Sequence, residues 1–151
     1  MKRIAICGSE EKYWTPEQRT KVVVRIRDCL MQWSVSPAIN TMSDIILVSG
    51  GCPKGGVDIW AEIVADVLGI EKDIHAPGIN QWESTFADFG DDPEHSSYRR
   101  LKGYKERNIE IAEMCDVLYC IDPKGRDWSG GRWTLNKAKE LGKETHLVEI
   151  E

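Results

Sequence analysis

No apolar run in this chain approaches the roughly 20 residues that a membrane-spanning helix needs, so no membrane association is expected. Positive charge is not in excess: 20 Lys and Arg stand against 25 Asp and Glu, a formal charge of −5. A protein that grips a nucleic-acid backbone over a broad face needs a net basic surface. Nucleic acid is therefore not expected as a partner, although a local basic pocket is compatible with the balance. Both common phosphate fingerprints are missing. Gly-x-Gly-x-x-Gly does not follow the first apolar run, and Gly-x-x-x-x-Gly-Lys-Ser/Thr is absent, which makes a P-loop ATPase or an ordinary dehydrogenase a poor reading. His75, His95 and His146 show no ligand spacing, and Cys115 and Cys120 only straddle a strand start, so no metal and no other cofactor is expected. No Ser-His-Asp or Cys-His arrangement is legible. Internal repeats, low-complexity stretches and interdomain linkers are absent as well.

The chain has 151 residues, 41% of them hydrophobic and spread along its whole length. That excludes a disordered tail and suits a single domain, 1–151, with a buried core. Five cysteines is an odd count. Cys7, Cys115 and Cys120 lie in or beside apolar runs and read as small core residues in a reducing cytosol, so a cytoplasmic location is expected.

Short apolar runs alternate with amphipathic segments. Ile4–Cys7 reads as a buried strand ended by Gly8-Ser9. Thr15-Pro16-Glu17-Gln18 opens a helix: Thr15 caps, Pro16 takes the first helical position and Gln18 reaches back. Its predicted inner face is Val23, Ile26, Leu30 and Trp33. Pro37 to Ser43 is a loop. Ile45–Val48 is a second strand, followed by Ser49-Gly50-Gly51 and a helix with Val57, Trp60 or Ala61, Val64 and Leu68 inward, stopped by Gly69. Lys72 to Ala76 is a weak third strand and Val117–Ile121 a strong fourth. Gly130-Gly131 opens a helix with Leu135, Ala138 and Leu141 inward, and Glu144 to Ile150 is the last strand. This order predicts an α/β fold of three layers, α/β/α, around a mostly parallel five-stranded sheet, with an α+β domain containing antiparallel pairs as the alternative. Residues 77–98 hold Trp82, Phe86 and Phe89, which could share one face of a helical turn. The segment is either a lid over a ligand or a flap packed for stability.

In a sheet of this kind, ligands sit outside the carboxyl ends of the strands. Gly8-Ser9, Ser49-Gly50-Gly51 with Gly55-Gly56, and Ser129-Gly130-Gly131 all fall at such ends. Glycine there lets backbone amides approach a ligand, and a following helix N-terminus favours an anion, phosphate or carboxylate. Asp58 and Glu62 lie four apart, so they share a helix face. Asp58 could cap its helix or accept ribose hydroxyls, and Glu62 could be solvated or a site carboxylate. Arg99, Arg100, Lys102, Lys105 and Arg107 form a basic cluster. Arg107 and Asn108 start the helix before the fourth strand, which brings Arg107 near the sheet's carboxyl edge to clamp a phosphate.

The residues then show a likeness. Val48-Ser49-Gly50-Gly51, Gly55-Gly56-Val57-Asp58 and Ala61-Glu62 resemble the "SGG…G-x-D…A-E" segment of the SLOG superfamily, Rossmann-like domains that include DprA-type and LOG-type proteins. Arg107-Asn108 with Ala112 to Leu118 is similar to its "R-N…A-D-x-L" segment. Ser129-Gly130-Gly131 with Thr134 and Lys139 to Lys143 resembles its final "GG…T…A-x-x-x-G-K" segment, and Pro77 to Trp82 the "P-x-x-W" loop of small stand-alone, YspA-like members. The resemblance implies a Rossmann-like domain that binds a nucleotide or nucleotide-derived molecule at Gly8, Ser9, Ser49, Gly50, Gly51, Gly56, Asp58, Arg107, Asn108, Ser129, Gly130, Gly131 and Thr134. It also implies a homodimer or higher homo-oligomer.

LOG-type members are phosphoribohydrolases with a Pro-Gly-Gly-x-Gly-Thr-x-x-Glu signature. Here Ser129 stands at the proline, Trp133 at the third glycine and Lys137 at the glutamate. A lysine would repel an oxocarbenium-like transition state by roughly 4 kcal/mol at ~4 Å and an effective dielectric of ~20. The expectation is therefore a sensor or carrier without LOG-type activity. In that sensor or carrier Trp82 or Trp128 would stack on a base; the first alternative is an enzyme acting on an N-glycosidic bond through Glu62 or Asp58. A DprA-like binder of single-stranded DNA ranks last, on the −5 charge and the lack of accessory domains.

Overall fold

A computed structural model of the chain describes residues 1–34, 44–88 and 98–151. β1 (Lys2–Gly8) leads through a short 3-10 turn (Glu11–Tyr13) into α1 (Pro16–Ser34). Then come β2 (Ile45–Ser49), α2 (Val57–Leu68) and β3 (Glu71–Ile74). A pair of short strands, β4 (Thr85–Asp88) and β5 (Tyr98–Leu101), precedes α3 (Tyr104–Met114). β6 (Val117–Pro123), α4 (Gly130–Glu140) and β7 (Glu144–Ile150) complete the order.

Local chemistry explains the ends of these elements. The Thr15 amide donates to Gln18 Oε1 (3.0 Å) and the Gln18 amide to Thr15 Oγ1 (3.2 Å), the reciprocal capping box that the spacing predicts. Gly69 stops α2 in the left-handed conformation, with φ 71°.

β3, β2, β1, β6 and β7 lie side by side in that order, and every neighbouring pair is parallel. The fold is thus α/β and Rossmann-like. Strand alternation sorts the two faces. Ile4, Ile6, Ile45, Leu47, Val117 and Ile121 pack under α1 and α2. Ala5, Cys7, Val48, Leu118 and Cys120 pack under α3 and α4, against Ile111, Ala112, Leu135 and Ala138. This second face is rich in small side chains, which lets α4 approach the sheet closely. Cys7, Cys29, Cys115 and Cys120 are buried free thiols.

Several helix details differ from the sequence expectation. α1 buries Val22 and Cys29 beside Ile26 and Leu30, while Val23 and Trp33 are only partly covered. Leu141 ends α4 and is largely exposed, because the chain turns at Gly142 instead of continuing along the core. The expected loop at Pro37–Ser43 lies outside the described residues.

Residues 77–98 differ more. Thr85–Asp88 pairs antiparallel with Tyr98–Leu101, so Phe86 sits in an exposed strand and not on a helical turn; Phe89 lies outside the described residues. Arg99 and Arg100 belong to β5, where Arg100 meets Glu106 at 3.2 Å. Carbonyls of Gln81 and Trp82 accept from the amides of Tyr104 and Lys105, and Ser84 accepts from the Gly103 amide. These bonds satisfy the first amides of α3 and fix Trp82, which packs edge-on against Trp133 with ring centroids 5.0 Å apart.

Strand order reverses between β1 and β6, whose chains leave in opposite directions toward β2 and β7. A crevice at their carboxyl ends is the place such a sheet offers a ligand. No helix among the described residues is long and apolar enough to cross a membrane.

Candidate functional site

A cavity of about 230 Å³ opens at that crevice. Among the residues expected to bind, Gly8, Ser9, Asp58, Arg107, Asn108, Ser129, Gly130, Gly131 and Thr134 line it. Ser49, Gly50, Gly51, Gly56 and Glu62 do not. Glu10, Cys52, Lys54, Trp82, Tyr104 and Arg126 also line it, and of these only Trp82 has a signal in the sequence analysis.

Close packing requires glycine at Gly8, Gly50 and Gly131. A Cβ on Gly131 would lie 2.9 Å from Gly8 Cα and 3.1 Å from Cys120 Sγ, and one on Gly8 would collide with the Ile121 carbonyl. The first turn of α4 therefore rests directly on the end of β1. A Cβ on Gly50 would lie 2.5 Å from Arg107 Nη1. Gly130 is different, since nothing stands within 4 Å of where its Cβ would be.

Two polar knots hold the crevice. The first centres on Asp122, which is fully buried at the end of β6. It accepts from Ser9 Oγ (2.7 Å), Ser129 Oγ (2.8 Å) and Arg132 Nε (2.9 Å). Ser129 in turn caps α4 by accepting from the Arg132 amide at 3.1 Å. Arg132 and Trp133 amides are thereby satisfied, while those of Gly130 and Gly131 have no partner among the described residues and lie at the cavity wall. The Ser9 amide, by contrast, is bound to the Ile121 carbonyl. Asp122 was not among the expected site residues. Its signal was a lone acid closing an otherwise apolar strand.

The second knot centres on Arg107, buried on α3. Its Nε donates to Asn108 Oδ1 at 2.8 Å, its Nη1 to the Gly50 carbonyl, and Asp58 Oδ2 stands 4.0 Å away. Two of its nitrogens are thus committed to the protein, so Arg107 ties α3 to the β2–α2 turn. Asp58 lies inside α2 and does not cap it; Gly56 holds that position. Burial pushes Asp58 up to about 6, against the opposing pull of Arg107. Glu62 accepts from Ser49 Oγ at 2.8 Å, away from the cavity. The Cys120 thiol, together with burial, holds Cys7 well above the ordinary thiol range, so Cys7 is a protonated wall residue and not a nucleophile. Lys137, at the position of the LOG-type glutamate, pairs with Glu140 at 3.4 Å on the surface.

The rim is basic and aromatic. Lys54 stands 3.9 Å from Glu10, a long exposed pair of little strength. The Arg126 guanidinium lies 3.3 Å from the centre of the Tyr13 ring. Trp128 is more than half exposed.

This fold has solved counterparts. The chain is similar to DNA processing protein A from Helicobacter pylori, at 18% identity and a TM-score of 0.56 over 97% of this chain and 64% of that one. It is also similar to DNA processing protein A from Streptococcus pneumoniae, at 13% identity and a TM-score of 0.48 over 98% and 59% of the two chains. This chain therefore spans less than two thirds of the length of either. No family model and no curated protein matches it.

The Helicobacter structure is described for a single-stranded DNA binding mode, and that finding corrects two expectations. A small-molecule nucleotide sensor or carrier is not the reading to keep, and nucleic acid is not to be set aside as a partner. The physical reason is that a formal charge of −5 averages over the whole surface. A strand needs only a local set of cations and donors where it crosses.

Proposed function

We propose that the crevice between β1 and β6 binds single-stranded nucleic acid. The observation that carries this is the composition of one rim: amides of Gly130 and Gly131, without a partner among the described residues, at a helix N-terminus, Lys54 and Arg126 as cations, and Trp82 and Tyr104 as aromatic wall. Phosphate suits the amides and cations, and bases suit the rings. Size supports a polymer that dips into the site. At about 230 Å³ the cavity is smaller than the roughly 300–1,000 Å³ of pockets that enclose a drug-sized ligand. One phosphate with part of its nucleotide fits, and the rest of the strand lies outside. The fold likeness to a protein described for single-stranded DNA binding supports the ligand class. The order of the motif segments around Ser49–Asp58, Arg107–Asn108 and Ser129–Thr134 supports a place among SLOG domains.

The test is fluorescence anisotropy of a labelled oligothymidine over a salt series. The expected log–log plot is linear, and Lys54→Ala lowers its slope by about 0.7, the share of one phosphate contact on a single strand. Absence of binding at low salt, or equal competition by duplex DNA, refutes the proposal.

A further inference from the structure

Tyr13 and Arg126 come from opposite sides of the crevice. Tyr13 ends the 3-10 turn after β1, and Arg126 lies in the connection between β6 and α4. Both are held in place. The turn is closed by bonds from the Tyr13 and Trp14 amides to the carbonyls of Glu10 and Glu11. Trp14 anchors it, donating its indole N–H to the Ser9 carbonyl at 3.0 Å and packing edge-on against Trp60. Arg126 donates its amide to the Pro123 carbonyl and its Nε to the Trp128 carbonyl at 2.8 Å. The guanidinium then rests on the Tyr13 ring at 3.3 Å, van der Waals contact.

A surface tyrosine and an arginine pay side-chain entropy to hold one geometry, and an exposed contact of this kind returns little stability. Tyr13 is 42% exposed. The guanidinium also lowers the Tyr13 phenol from its ordinary range, by hydrogen bonding and charge. Arg126 lines the cavity while Tyr13 does not, so the stack runs from the cavity mouth outward. A planar cation seated on an aromatic ring, which Lys12 Nζ also approaches to 5.1 Å, is a surface on which a flat, unpaired base extends the stack.

We propose that the Tyr13–Arg126 stack is a nucleobase subsite beside the crevice. It takes the base of a nucleotide next to the one whose phosphate enters the cavity. The subsite rests on the strand-binding reading above and adds a requirement for unpaired bases, because a base in a duplex has no free face to offer.

The experiment compares two labelled probes of equal length on the whole chain: oligothymidine, and the same deoxyribose-phosphate backbone without bases. Base stacking is worth about 1–3 kcal/mol per base by alanine substitution, about 5-fold or more in affinity. The wild type is therefore expected to hold oligothymidine at least about 5-fold tighter than the baseless strand. Tyr13→Ala lowers that ratio by about 5-fold or more, the share of one stacked base, with an unchanged melting curve, and Tyr13→Phe, which keeps the ring, keeps the preference. A preference left unchanged by Tyr13→Ala overturns the subsite and leaves strand binding standing, as does equal binding of both probes by the wild type. Failure of oligothymidine to bind overturns the strand-binding reading and the subsite with it.

Discussion

Asp122→Ala tests whether the crevice is held by its buried carboxylate. The substitution removes the acceptor of four donors: Ser9 Oγ, Ser129 Oγ, Arg132 Nε and, more weakly, the Cys120 thiol. Removing one partner of a buried ion pair costs about 3–5 kcal/mol, because the other charge stays where water reaches it poorly. Arg132 retains 19% side-chain exposure, so part of its cost is recovered by solvation and the lower half of that range is expected. In a chain of this size about 1 kcal/mol moves the melting temperature by roughly 2–4 °C, which gives a fall on the order of 10 °C. Asp122→Asn keeps the shape and some hydrogen bonding but loses the charge. It costs about 1–3 kcal/mol, the worth of hydrogen bonds to a charged group. Glu140→Gln, which removes the exposed partner of Lys137, is the control and shifts stability by less than about 0.5 kcal/mol. Urea midpoints followed by circular dichroism read all three, and oligothymidine anisotropy reads the site. The Ser129 cap depends on Asp122, so binding weakens in Asp122→Asn even where the protein stays folded. An Asp122→Ala stability indistinguishable from that of Glu140→Gln refutes the reasoning.

Asp58 supplies a pH test. Its folded value of about 6 lies above an unfolded value of about 3.9, so the native state binds this proton more tightly. The contribution is fully present below about pH 4 and is lost as pH rises through 6, roughly 3 kcal/mol in all. Urea midpoints of the wild type minus those of Asp58→Asn should therefore fall between pH 4 and pH 7, and a flat difference contradicts the burial argument. The glycines separate by position. Gly8→Ala drives a Cβ into the Ile121 carbonyl and should yield insoluble or markedly destabilised protein. Gly130→Ala meets nothing within 4 Å and should be neutral or stabilise by up to about 1 kcal/mol, so equal melting temperatures for the two variants would count against the packing assigned to Gly8.

Much of the architecture is legible in residue order. Thr15 and Gln18 carry their own cap, Gly69 its own stop, and the runs at Ile4, Ile45 and Val117 are apolar without alternation because helices cover both faces of their sheet. The site is legible in part for a related reason. In a parallel sheet every carboxyl end lies on the same edge, so turns far apart in the chain are collected there by topology alone. What the glycines do at that edge was not legible. Gly8 and Gly131 are contacts of backbone with backbone, which no pattern in one segment displays. The β4–β5 pair was missed because four-residue strands leave too short a period to read.

From order and spacing alone follow the parallel three-layer fold and the edge at which a ligand would enter, since both depend on local propensity and on the hand of short crossovers. Only the tertiary structure decides the partners of each polar group. Asp122 finds Ser9 from 113 positions away, Arg107 on the cavity wall reaches across to the Gly50 carbonyl, and Tyr13 meets Arg126 across the crevice. Burial drives charges and donors to find a neighbour, and which neighbour stands in reach is set by packing between segments that share no sequence signal.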